Sequence, residues 1–157
     1  MNAHSPAFSN PIGTGIRQTP LHIAIKWQKQ EIVKFLLFDC EDIDINATDY
    51  IGQTPLHYAC QKRNPEAVKW LLGKGACVNA RAANGMTPLH FACAKHPVLI
   101  SEVESDRKAV LKLLLDSAKE NKINVHEMDI HGVKPLDLCY LRDDYITASA
   151  ILFISKE

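Results

Sequence analysis

Seven histidines and five cysteines are the side chains of this 157-residue chain best able to ligate a metal, move a proton or attack a substrate. Their spacing argues against all three uses. His22, His57 and His90 each stand fourth in a repeated phrase, T-P-L-H, and three equivalent residues on successive units read as scaffolding rather than as one active site. His126 and His131 lie five apart across a turn, with no third ligand at metal spacing. Cys40, Cys60, Cys77, Cys93 and Cys139 contain no C-x-x-C, so neither a zinc ribbon nor a redox dithiol of that type is signalled. The expectation is free thiols, buried at Cys60, Cys93 and Cys139 and nearer the surface at Cys40 and Cys77. No Gly-rich phosphate loop, G-x-S-x-G or H-E-x-x-H occurs. The chain is therefore expected to be no enzyme and to need no cofactor or metal.

Composition narrows the partners. Eighteen basic residues balance eighteen acidic ones, and 46% of the chain is hydrophobic. A neutral chain lacks the cationic surplus that gripping nucleic acid demands. No apolar run reaches the length of a membrane span, and Ala148 to Ile154 is typical of the longest. Met1 to Gln18 has neither the basic nor the apolar segment of a signal peptide. These features predict a monomer of the cytoplasm or nucleus, with neither nucleic acid nor membrane as partner.

The histidines and cysteines must be positioned by the units that repeat. Gln18 to Ile25, Gly52 to Cys60, Gly85 to Cys93 and Gly132 to Tyr140 are four versions of one phrase, and the residues before their prolines are spaced by 35, 33 and 47. Thr19, Thr54 and Thr87 suit an N-cap, and the following proline suits a first helical position that has no N–H to satisfy. A second helix follows in Glu31 to Phe38, Glu66 to Leu72, Arg107 to Leu115 and Asp144 to Phe153, with Phe35 and Trp70 expected to face the core. Gly52, Gly85 and Gly132 then mark projecting turns that need positive φ. Counting between registers places ten extra residues within His96 to Asp106 and four more within Ser117 to Lys122, both as loops.

The T-P-L-H phrase and the period of 33 resemble the ankyrin repeat. The resemblance implies an all-α solenoid of stacked helix-turn-helix units with projecting turn or hairpin loops. One ankyrin-repeat domain would fill residues 1–157, with repeats at about 16–48, 49–81, 82–128 (insertion 96–106) and 129–157. It also implies that the phrase histidine is structural, bonding to backbone around the turn between repeats. Asn46 and Asn79 resemble the turn asparagines modified in such proteins by an oxygen-dependent asparaginyl hydroxylase.

Ankyrin modules bind partners through the projecting turns and the exposed side of the first helix. Carried over by position, the turns offer Thr48, Tyr50, Ile51, Gln53, Arg81, Asn84, Met86, Met128, Ile130 and His131, and the first helices offer Lys26, Trp27, Gln61, Lys62, Lys95 and Arg142. Trp27, Lys62, Lys95 and Arg142 are equivalent, which predicts a ladder across the groove. Such a ladder suits an acidic peptide with an aromatic or apolar anchor. The implied function is a protein-interaction module, an adaptor or scaffold. Two alternatives remain at this level: a regulatory or targeting domain belonging to a larger enzyme or pathogen effector, and a short protein similar to the NF-kappa-B inhibitors that masks a transcription factor.

Overall fold

The computed structural model describes residues 17–94, 101–121 and 123–154. Among them are eight helices in pairs: α1 (Pro20–Lys26) with α2 (Gln30–Phe38), α3 (Pro55–Gln61) with α4 (Pro65–Gly73), α5 (Pro88–Cys93) with α6 (Ser101–Asn121), and α7 (Pro135–Tyr140) with α8 (Tyr145–Ile154). The first helices α1, α3, α5 and α7 pack in sequence as one layer, and α2, α4, α6 and α8 pack in sequence as the other. The core lies between the layers, where Leu21, Ile25, Leu56, Leu71, Leu89, Leu114 and Ile151 are fully buried. No strand occurs among the described residues.

The starts of the first helices follow from the phrase. Thr19, Thr54 and Thr87 are extended N-caps, as a residue before proline must be, and each proline opens its helix. In the fourth repeat Lys134 holds the cap position, and the Asp137 carboxylate accepts from its backbone N–H at 2.8 Å. Asp137 thus takes over half of the work of the threonine–histidine pair.

The projecting turns need a left-handed residue, and they have one. Gly85 sits at φ 77°, and a Cβ there would stand 3.0 Å from both Asp129 Cα and Ile130 N, so only glycine allows the next turn to approach. Arg17, which stands where the other repeats have glycine, is also left-handed, at φ 42°. Successive turn tips are tied by Ala83 N–H to Ile51 O at 2.8 Å and Ile130 N–H to Asn84 O at 3.0 Å.

Two features depart from the sequence expectation. In repeats one, two and four the residue joining the first helix to the second is left-handed, Gln28, Arg63 and Asp143, none of them glycine. The chain accepts that strain because the next N–H then reaches back into the preceding helix: Lys29 to Ala24 O, Asn64 to Ala59 O and Asp144 to Cys139 O, at 2.9–3.0 Å. Second, the extra residues of repeat three are not simply loop. α6 begins at Ser101 and runs to Asn121, so part of the insertion and most of the later surplus prolong the helix by turns at both ends. Residues 95–100 lie outside the described part.

Candidate functional site

The histidines form one repeated inter-repeat link. The backbone N–H of Thr19, Thr54 and Thr87 donates to Nδ1 of His22, His57 and His90 at 3.0–3.1 Å, and each threonine hydroxyl lies 2.8–2.9 Å from the same nitrogen. Nε2 points to the next repeat, 2.9 Å from Gln53 O, 3.1 Å from Met86 O and 3.0 Å from Val133 O. An N–H can only donate and a carbonyl can only accept, so Nδ1 is bare and Nε2 carries the proton. All three rings are fully buried. Burial drives His57 down to about 4, against the pull of the Met86 carbonyl, and lowers His22 and His90 as well. Rings used in this way are unavailable as bases or ligands. Among the described residues, no group of three His, Cys, Asp or Glu is placed to hold a metal ion.

The turn asparagines are links too. Asn46 Oδ1 accepts from Cys77 N–H at 2.8 Å, and Asn79 Oδ1 accepts from Asn124 N–H at 2.7 Å. Asp49 organises its turn by accepting from the N–H groups of Ile51 and Gln53 through Oδ1 and from the Tyr58 hydroxyl through Oδ2. Asp129 repeats the first two of these bonds with His131 and Val133.

With the scaffold accounted for, the expected partner surface divides. Trp27 is 66% exposed, Tyr50 61%, Ile130 64% and Met128 47%. Lys26, Thr48, Gln61 and His131 are exposed as well. Ile51, Lys62, Asn84 and Met86 are half-buried; Asn84 Oδ1 accepts from Met86 N–H, and Met86 packs against the core. Arg81 reaches the next turn, where Nη2 donates to Met128 O at 3.0 Å and Nη1 pairs with Glu127.

Three expectations need correction. Gln53 is only 8% exposed: its N–H is bound by Asp49 and its carbonyl by His22, so it belongs to the inter-repeat seam. Arg142 is half-buried and donates to Ala94 O at 3.1 Å, so it ties repeat four to repeat three and is not a rung of a groove ladder. Lys95 lies outside the described residues, which leaves Trp27 and Lys62 as the ladder positions in view. The third correction concerns Phe35, which is 56% exposed rather than core-facing. Its counterpart Trp70 is half-buried and meets the Phe38 ring edge-on at 6.3 Å, with the Lys74 ammonium 4.6 Å from the same Phe38 ring.

The sequence reading missed the buried arginines. Arg63 and Arg107 are almost wholly enclosed, Arg63 on backbone carbonyls and Arg107 against Asp144 at 2.5 Å. Arg63 sits at the left-handed joint that no glycine announced, and Asp144 is the residue just before α8. The spacing carried no signal that these side chains turn inward.

The family model for ankyrin repeats in many copies matches residues 21–72 and 64–98, and that for the single ankyrin repeat matches residues 84–127. The chain belongs to the ankyrin-repeat family. Its matched span holds the first three repeats, and the geometry carries the same helix-pair plan through the fourth, α7 and α8. No curated relative matches the chain. Ankyrin repeats are generally protein–protein interaction modules and typically carry no catalysis.

Proposed function

We propose that this ankyrin chain is an adaptor or scaffold without catalytic activity, binding a partner protein or peptide by its turn tips and first helices. The observation that carries this reading is the exposure of Trp27, Tyr50, Met128 and Ile130, large apolar side chains that the stack leaves uncovered. Lys26 is exposed on the same first helix, and Lys62 occupies the position of Trp27 in the next repeat. This arrangement favours a partner with an apolar or aromatic anchor and acidic residues at its edge. Because Arg142 is committed to the Ala94 carbonyl, the acidic preference rests on fewer cations than a full ladder would supply. The reading places the protein in the cytoplasm or nucleus.

The test is affinity capture with wild type and a Trp27→Ser/Tyr50→Ser double variant, with urea unfolding of both in parallel. Both side chains are exposed, so the unfolding midpoint should move little while the captured partner is lost. The same partners retained by the double variant at undiminished yield would overturn the proposal.

A further inference from the structure

Repeat four is covered on one side only. α7 packs on α5, and α8 packs on α6 and α7, while the opposite side of the pair stays exposed. Tyr140 marks that side: it stands at the position of Cys60 and Cys93, which are sealed completely, yet Tyr140 is exposed. Its ring meets that of Tyr145 on α8 at 6.3 Å between centroids, so the two helices share one face.

α8 extends the face with a pattern of its own. Thr147, Ala148 and Ile151 turn inward, while Ile146, Ser149, Ala150 and Phe153 are exposed at i, i+3, i+4 and i+7, one stripe of the helix. Ile146 is 78% exposed and Phe153 67%. Earlier repeats carry charge here: Glu31 and Glu66 stand at the position of Ile146, and Lys34 and Lys69 at that of Ser149. α8 has no charged residue. The Ser149 hydroxyl donates within the helix to Tyr145 O at 2.7 Å, so the polar atom of the stripe is already bonded.

A fifth repeat laid on this face would lack the links that join the others. Asp137 replaces the histidine whose Nε2 donates to the next repeat, and an ionised carboxylate donates nothing. His126 stands where Asn46 and Asn79 supply the amide oxygen that holds the next turn. The stripe is instead complementary to itself. Antiparallel pairing about a two-fold axis between Ser149 and Ala150 sets Ile146 of each copy against Phe153 of the other, with small side chains where the helices come closest. Because the stripe is uncharged, no charge meets its own symmetry mate. Head-to-tail stacking has no such match, since α2 at the other end exposes Glu31 and Lys34 among Ile32 and Phe35.

We propose that α8 is a homodimer seam, through which two copies pair tail to tail by Ile146, Ser149, Ala150 and Phe153, with Tyr140 and Tyr145 flanking. The monomer expected from composition then holds only in dilute solution. The seam shares no residue with the proposed partner surface, so the two readings stand or fall separately.

The experiment is sedimentation equilibrium of the full chain from about 2 μM to about 200 μM, a range suited to a small interface. Reductant is present so that exposed Cys77 cannot link copies. The wild-type mass should rise from one chain to two and stop there. Ile146→Glu restores the charge of the earlier repeats at an exposed site; it should weaken association by more than about tenfold while circular dichroism and the urea midpoint hold. Phe35→Glu, at the opposite end, should associate like wild type. A wild-type chain that stays monomeric overturns the proposal, as does growth beyond two chains, undiminished association of Ile146→Glu, or association lost in Phe35→Glu. A monomer that sediments with phosphatidylcholine vesicles, and loses them on Ile146→Glu, assigns the stripe to a lipid surface and overturns it as well. The wild-type series decides between one chain, two and more even if a variant does not fold.

Discussion

Acid should unfold this protein through its histidines before its carboxylates are protonated. His57 has an ordinary value of 6.5 and a folded value of about 4, because burial opposes charge and a proton on Nδ1 would face the Thr54 N–H. The ring is neutral in both states above 6.5 and contributes no pH dependence there. Below it the unfolded chain takes up a proton that the folded ring refuses until about 4, so stability declines across that window and then levels. The full decline is roughly 3 kcal/mol, of which about 2 kcal/mol falls between about pH 7 and about pH 5. His22 and His90 are shifted in the same direction and add to it. Urea unfolding at those two pH values should show a lower midpoint in acid at unchanged slope. His57→Gln should be less stable at neutral pH, but its decline on acidification should be smaller by about 2 kcal/mol. An equal decline in variant and wild type would refute the reasoning, as would a His57 ring resonance that titrates near 6.5 in the folded protein.

Other substitutions probe single structural claims by the same unfolding measurement. Gly85→Ala should lose about 1–2 kcal/mol, since it adds left-handed strain to a Cβ contact at 3.0 Å; no loss would show that the turn adapts. Arg107→Met should cost about 3–5 kcal/mol by leaving Asp144 poorly solvated without its cation, and a loss below about 1 kcal/mol would deny the pair that role. Leu114→Ala, at a fully buried site on α6, should cost about 2–5 kcal/mol, whereas Phe35→Ser on the exposed side of α2 should cost under about 1 kcal/mol. A large loss at Phe35 would restore it to the core.

The spacing of T-P-L-H, the prolines at helix starts and the glycines at turns are local signals. Each acts within a few residues, so the helix pairs, their order and the fold class were legible without coordinates. Their equivalence across repeats also exposed the histidines as scaffold. Lys134 brings no threonine hydroxyl to the fourth cap, and the carboxylate that compensates, Asp137, acts from three residues further on.

What local pattern left open was the direction of long side chains. Gln53 and Tyr50 stand in the same turn, yet one is sealed between Asp49 and His22 and the other projects into solvent. Arg142 and Lys62 share a repeat position, yet Arg142 reaches back to a helix-end carbonyl, that of Ala94, which Arg63 reaches from the other side of the joint. Phe35 and Trp70 likewise share a position, but repeat one has no preceding helix pair among the described residues to cover its side. The sequence by itself determined the repeating unit, because capping, turn geometry and helical periodicity are short-range. The tertiary structure alone decided which cations are spent on carbonyls and which aromatic rings meet solvent, because those outcomes depend on groups tens of residues apart brought together by stacking.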